Sequence, residues 1–384
     1  MLRLVIAAAI LALLHLLLHR RLVRAPGLTG RWAQAATGTL VAGWVLAVAG
    51  TLVGAEISPH PWRPLGFLGL TWLAAVFYLL LGLAVLGIAL LALRLIARFR
   101  GAPSDHARRR FLRAATAVVV AGSVGLTAYG LVEAASPRVV HETVALPRLP
   151  EQFRGLRVAV VSDLHLGPAR GAGFTRRIVD LVNREQPDLI AVVGDLADGT
   201  VSRVGDDLAP LADLRAPLGV YAVSGNHEQI SDDVGDWMRH WTSLGLTVVN
   251  NARVEVERQG ALIDLAGVYD YSNKAPYRPD LDAALAGRAP DRFVLLLAHQ
   301  PNHIATAAAA GVDLQVSGHT HGGQLWPLRT IVEWVHDTEV TGLDTVDDTT
   351  LFTTYGAGAW GPPVRVGAPP EVPILTLVPA PATP

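Results

Sequence analysis

Apolar residues fall along this chain in two rhythms. Up to about residue 135 they form long stretches, at 2–18, 32–54, 66–93 and 111–132, each near the ~20 residues with which a helix spans a hydrocarbon core. The first is the shortest. Further on, the runs shrink to three to six residues: Leu156–Val161, Leu189–Val193, Val220–Val223, Val294–Leu297 and Leu314–Val316. That length and Val/Leu content suit strands buried on both faces. Helical patterns such as Phe174–Glu185 and His303–Ala310 lie between several of them, which predicts a layered α/β domain. Two β-rich runs, Leu246–Val256 and Ala261–Val268, flank Arg258-Gln259-Gly260 and predict a hairpin. Pro137, Pro147 and Pro150 punctuate a polar stretch read as a linker. The predicted organisation is a membrane region of about four helices over 1–135, a linker over 136–152, a second domain over 153–379 and a disordered tail over 380–384.

Composition sharpens this division. Hydrophobic residues make up 51% of the 384 positions and charged residues 17%, with the apolar excess in the first third. The net charge of −1 gives no basic field for a nucleic-acid partner. With no cysteine in the chain, disulfides and thiolate metal sites are excluded, so a metal must be held by imidazole, carboxylate, amide or backbone oxygen.

The arginines between the apolar stretches are unevenly spread. The first loop carries Arg20, Arg21, Arg24 and Arg31, the third Arg94, Arg98, Arg100, Arg108, Arg109, Arg110 and Arg113, and the second only Arg63. The positive-inside rule puts loops one and three in the cytoplasm and the domain after residue 135 outside it. Arg108-Arg109-Arg110-Phe111-Leu112-Arg113 resembles the core of a twin-arginine export signal, and it equally suits a positive-inside anchor. His15 lies near the end of its stretch, where an imidazole reaches for the interface.

The buried runs end in polar residues. Val161 leads to Ser162-Asp163-Leu164-His165, Val193 to Gly194-Asp195, and Val223 to Ser224-Gly225-Asn226-His227-Glu228. Leu297 leads to Ala298-His299, and Val316 to Ser317-Gly318-His319-Thr320-His321. Singly, each has a bland reading: a Gly-Asp turn, a helix cap at Asn226 or Glu228, a core imidazole at His299. Together they present carboxylates, an amide and imidazoles at the carboxyl edge of one sheet system, where ligands bind in such folds. Trp237, Met238 and Trp241 form a helical stripe that reads as core, with a lipid-substrate cleft as the alternative.

This ordered set, DLH, GD, GNHE, a lone His after a strand and GHTHGGQ, resembles the calcineurin-like metallophosphoesterases over roughly residues 150–380. The GHTHGGQ form, with the ending through Gly356, Gly358, Arg365 and Glu371, is most similar to a bacterial membrane-associated or exported branch that includes UDP-2,3-diacylglucosamine hydrolase-like members. The resemblance implies an α/β fold with a two-sheet sandwich flanked by helices (α-β-β-α), two divalent metal ions (Mn, Fe or Zn) and phosphoester hydrolysis. It implies that Asp163, His165 and His321 hold one metal and Asn226, His299 and His319 the other, with Asp195 bridging. His227 resembles the family's non-ligand histidine that serves the leaving oxygen, with a hydrogen bond to Asp163 or another ligand as its structural reading. The expected partners are a phosphate-ester substrate, lipid-linked or of the envelope, and membrane lipid. A UDP-diacylglucosamine-like pyrophosphate is the alternative substrate, and a receptor or transporter with a metal-binding domain the alternative class. The latter is disfavoured because the spans hold no Asp, Glu or Lys suited to an ion path before Glu133.

Overall fold

A computed structural model describes residues 2–97, 105–231, 234–336 and 341–380. Arg98 and Arg100 of the third loop and residues 381–384 of the expected tail lie outside the described residues. The chain divides into two compact units, Met1–Val132 with Gly361–Val364, and Glu133–Trp360 with Arg365–Pro384.

The first unit is built on the helices α1 (Leu2–His19), α2 (Gly30–Ala55), α3 (Pro59–Ala97) and α4 (Asp105–Ala134); α4 runs on to Ala134. By length and composition all four could cross a membrane. Close packing rests on small residues: a Cβ on Gly69 would lie 2.1 Å from the Leu46 carbonyl oxygen and 2.8 Å from Gly50 Cα, so α2 and α3 meet backbone to backbone. Many large apolar side chains instead face outward, including Ile88 at 70% and Val118 at 72% exposure, the pattern expected where lipid is the solvent. His15 does not reach for an interface. It is buried, and its Nε2 accepts from Trp72 Nε1 at 2.9 Å while Nδ1 lies 2.7 Å from the Leu11 carbonyl. Those partners fix the proton on Nδ1.

The second unit contains two six-stranded mixed sheets. The first runs β1 (Arg138–Leu146), β12 (Glu371–Pro379), β2 (Leu156–Val161), β3 (Leu189–Val192), β4 (Val220–Ala222), β5 (Thr247–Val248). The second runs β10 (Gly342–Val346), β11 (Thr349–Thr353), β9 (Leu314–Ser317), β8 (Val294–Leu297), β7 (Ala261–Gly267), β6 (Ala252–Arg258). The parallel strands β2 to β4 and β7 to β9 with β11 lie within the sheets, and β5 extends the parallel run to the edge of the first. A core cluster including Leu156, Val158, Val160, Leu295, Leu297 and Val316 holds inward-facing residues of both sheets. Helices including α5 (Ala172–Arg184) and Val234–Ser243 pack over another cluster with Val161, Ile190 and Val192. Trp237 and Trp241 are fully buried there, so the stripe is core. The α/β sandwich flanked by helices is the observed architecture.

Two expectations are corrected. The stretch 136–152, read as a linker, contains β1, which pairs in parallel with β12 along nine residues. Its partner lies more than 200 residues away, so no local signal marks it, and its exposed, polar composition suits an edge strand. Leu246–Val256 is not one strand: β5 belongs to the first sheet and β6 to the second. The chain breaks between them at Asn251, whose φ of 51° is left-handed. The β6–β7 hairpin itself forms, with Gln259 and Gly260 at φ 52° and 81°, the left-handed pair of a type I′ turn.

Candidate metal centre

The carboxyl ends of β2, β3 and β4 in one sheet, and of β8 and β9 in the other, converge. Asp163 and His165 follow β2, Asp195 follows β3, Asn226 to Glu228 follow β4, His299 follows β8, and His319 and His321 follow β9. Apart from Arg157 in β2 and Gln315 and Ser317 in β9, these strands are apolar, so the ligand-type residues gather where the backbone escapes the sheet. The escape is tight. Asp163, His165, Asp195, His319 and His321 all have φ between 47° and 71°, a region that costs a side-chain-bearing residue free energy and clusters at functional sites. Two glycines permit the approach of the loops: a Cβ on Gly225 would lie 2.1 Å from Asp195 Oδ1, and one on Gly318 would lie 2.1 Å from Ser162 Oγ and 2.4 Å from Asp163 Oδ2.

Three overlapping groups of ligand-type atoms result: Asp163/His165/His321 and Asp195/His299/His319 on either side, and His165/Asp195/His227, which shares a member with each. Asp195 Oδ2 lies 3.8 Å from His165 Nε2 and 3.2 Å from His299 Nε2, between the two groups. The nitrogens converge as well, His165 Nε2 on His321 Nε2 at 3.0 Å and His319 Nδ1 on His299 Nε2 at 3.2 Å. The outer nitrogens are committed elsewhere: His165 Nδ1 lies 2.9 Å from Asp198 Oδ1 and His299 Nδ1 2.6 Å from the Val193 carbonyl. Neutral rings held this way turn the lone pair of Nε2 into the site, the orientation of a metal-bound imidazole. Asn226 Oδ1 is buried with no hydrogen-bond partner among the described residues, as an oxygen reserved for a cation would be. The residues fit divalent cations.

Charge points the same way. Burial alone would raise the carboxyls of Asp163 and Asp195, yet neighbouring imidazoles, His321 and His165 for the first and His299 and His227 for the second, hold both below the usual range. Against its own burial, His165 is raised to about 10, chiefly by Asp198, and His299 is raised well above its ordinary value by Asp195. Burial pushes His319 down to about 4, with His299 adding to the effect, and burial holds His321 well below its ordinary value. The raised imidazoles thus stand against the depressed aspartates.

His227 stands beside this cluster. Its backbone N–H donates to Asp195 Oδ1 at 2.8 Å, and its Nδ1 lies 2.7 Å from Asp198 Oδ1. Its side-chain partner is therefore Asp198, not Asp163. Asp198 joins His165 to His227 and was missed in the sequence, although its position three residues after Asp195 in Gly194-Asp195-Leu196-Ala197-Asp198 was visible. Two further supports, Glu228 and Arg365, stand in the quoted motifs, but their roles are not legible there. Buried Glu228 accepts from the N–H groups of Gly225, Asp195 and Leu196 at 2.7, 3.1 and 2.9 Å, tying the β3 and β4 loops together. Burial, then Asp195, raises its carboxyl to about 7. Arg365, fully buried, places Nη2 2.9 Å from His321 Nδ1 and donates to the carbonyls of Tyr355, Gly358 and Ala368.

The sequence profile of the calcineurin-like phosphoesterases matches residues 156–323. A transmembrane protein with metallophosphoesterase domain from Danio rerio is 35% identical over 334 residues, taking in 84% of this chain and 75% of the relative. An uncharacterized metallophosphoesterase of Helicobacter pylori is 34% identical, over 64% of this chain and 65% of its own. Among solved structures, a 5′-nucleotidase precursor from Thermus thermophilus aligns with a TM-score of 0.35 at 15% identity, covering 58% of this chain and about half, 54%, of that one. The four apolar helices and the transmembrane relatives support membrane association.

Proposed function

Since the chain belongs to the calcineurin-like phosphoesterase family, we propose that it is a dinuclear hydrolase of phosphate esters. In this reading Asp163, His165 and His321 hold one divalent cation, Asn226, His299 and His319 the other, and Asp195 is shared. The position of Asp195 Oδ2, between the inward Nε2 atoms of His165 and His299, carries the proposal. Bound there, the pair of cations would supply Lewis-acid neutralisation of the phosphoryl group and lower the pKa of the attacking water. His227 donates a proton from Nε2 to the leaving oxygen, while Asp198 on Nδ1 holds the ring in place and stabilises its charged form. Burial opposes that charge, but Asp195 and Asp198 together raise the His227 pKa above its ordinary value, which favours the proton-bearing form. Manganese, iron and zinc all suit a nitrogen and oxygen donor set.

The substrate class we propose is a lipid-linked or envelope phosphate ester, because a membrane-held site meets substrates at the bilayer. A UDP-diacylglucosamine-like pyrophosphate is the second reading, and it needs the domain on the cytoplasmic side, where nucleotide-activated precursors are made. The arginine-rich first and third loops favour the outer side. Metal analysis of the purified full chain should give two equivalents at saturation, with hydrolysis of nitrophenyl diesters, monoesters or lipid phosphates in manganese. One equivalent at full activity would overturn the dinuclear reading, and a two-metal protein inert to all three substrate classes would overturn the hydrolytic one.

A further inference from the structure

A half-open cavity of about 640 Å³ lies in the first unit between the α1–α2 connection, α2, α3 and α4. It offers room for about twenty groups the size of a water or methylene, at roughly 30 Å³ each. Its walls are apolar almost throughout. On α4 the lining runs from Arg113 to Val124, eleven residues or about 16 Å at 1.5 Å per residue. That is half of a hydrocarbon core ~30 Å thick, the depth of one leaflet.

The cavity is built rather than left over. Trp72 forms part of its wall and is fixed from two sides: Nε1 donates to His15 Nε2 at 2.9 Å, and the ring crosses Gly43, where a Cβ would lie 2.1 Å from Cε2. At the other end stand Trp32, 66% exposed with the Arg31 guanidinium 5.3 Å over its ring, and Arg113. Among the described residues Arg113 donates to backbone carbonyls alone, Nε to Pro26 at 2.9 Å and Nη2 to Gly27 at 2.8 Å. Those bonds bring the start of α4 against the α1–α2 connection. In the sequence the first and third loops hold eleven arginines against one acid, Asp105. An indole and a guanidinium side by side at one end of an apolar slot match the interface between acyl chain and phosphate.

We propose that this cavity holds one acyl chain of an anionic glycerophospholipid, with the lipid phosphate at Arg113 and Arg31. The proposal rests on the reading that the four helices span a bilayer. Length selects a chain of the leaflet at the arginine-rich end, and the excess of positive charge selects an anionic headgroup over a zwitterionic one. The cost of holding Arg113 beside apolar surface, where its acceptors among the described residues are carbonyls, is offset by the phosphate.

The test is native mass spectrometry of the full chain extracted in mild detergent and offered equimolar phosphatidylglycerol and phosphatidylcholine. One phosphatidylglycerol should be retained per chain, in at least tenfold preference. Arg113→Gln should remove most of that preference and Arg113→Lys should keep a good part of it. Ala121→Phe, which fills the slot, should abolish retention of either lipid. All three variants should hydrolyse a soluble nitrophenyl ester like the parent, which reports on the second unit, and should resist extraction by alkaline carbonate like the parent, which reports that the first unit still inserts. Equal retention of both lipids, or retention indifferent to Arg113→Gln and Ala121→Phe, would overturn the lipid site while leaving the spanning helices intact. Release of the chain from membranes by alkaline carbonate would overturn both.

Discussion

The two units dispose of charge in opposite ways. In residues 1–132 there are thirteen arginines, no lysine and two acids, Glu56 and Asp105, and most of the arginines lie at helix ends. In the second unit Asp163, Asp195, Glu228, His299 and Arg365 are buried at 2% exposure or less. A protein interior tolerates this only where each charge has a partner, and here imidazoles, backbone N–H groups and carbonyls supply those partners. The contrast follows from solvent. A helix in lipid sends its charges to the ends because no network waits inside, whereas the strand ends of a closed sandwich converge and build one.

The largest effect expected from breaking that network is at Asp195. Asp195→Asn leaves an oxygen near both groups but removes the shared negative charge, so activity should fall by more than about 10⁴-fold and metal content at both sites with it. Asp163→Asn should deplete one site more than the other. Metal stoichiometry measured beside turnover separates the two. If Asp195→Asn emptied only one site, the shared role would be wrong.

His227→Ala comes next. Turnover should drop about 10²–10⁴-fold, the usual contribution of a positioned acid, with metal content nearly unchanged. Asp198→Asn should act in the same direction with a smaller loss, because the ring stays while its orientation and charge weaken. A nitrophenyl leaving group should blunt both effects relative to an alkyl one. Loss of metal in step with activity would make His227 a ligand or a structural neighbour.

Packing offers a comparison of similar size in stability. Trp241 is fully buried in the second unit, and Trp241→Ala should cost about 3–5 kcal/mol of unfolding free energy. Ile88, 70% exposed on α3, faces lipid in our reading, and Ile88→Ala should change stability in a bilayer by well under 1 kcal/mol, since lipid replaces the lost contact almost in kind. Equal costs at the two positions would mean that α3 packs against protein at Ile88.

Metal removal should reveal the protons that stand in for cations. His165, at about 10 when folded against an ordinary 6.5, and His299, also raised, bind more protons folded than unfolded above pH 6.5. Stability of the metal-free chain therefore falls as pH rises from 6.5 towards 10. His319, at about 4, and His321, also lowered, bind fewer protons folded than unfolded below 6.5, so stability falls again as pH drops towards 4. Thermal melts in chelator should peak near pH 6.5, and metal uptake at pH 7 should release protons to the buffer. A metal-free optimum at pH 9 would contradict the assignment of protons to His165 and His299.

The parts of the molecule legible in sequence are those whose signal is local. The strand ends announce themselves because an apolar run stops at a carboxylate or imidazole, and the structure brings Asp163, His165, Asp195, His299, His319 and His321 into one cluster. The β6–β7 hairpin was readable from Gln259-Gly260. What escaped depends on distance. β1 is a strand only because β12 arrives beside it. Asp198 gains its meaning from His165 and His227 together, and Arg365 from loops that close only in three dimensions.

The smallest expected effect concerns how the second unit reaches its side of the membrane. Arg109, Arg110 and Arg113 lie within the first nine residues of α4, and their charge serves two readings at once. Positive charge beside a span sets its orientation whatever residue carries it, whereas the twin-arginine pathway reads the guanidinium pair itself. Replacing Arg108 and Arg109 together by Lys keeps the first property and removes the second. Sidedness, read from a reporter fused after residue 384, should be unchanged, and the amount exported should fall only if the twin-arginine route is used. Full export of the Lys pair would reduce the run to an anchor and leave the topology standing. A reporter active only in the cytoplasm, in parent and variant alike, would place the metal centre inside and favour the nucleotide-linked substrate.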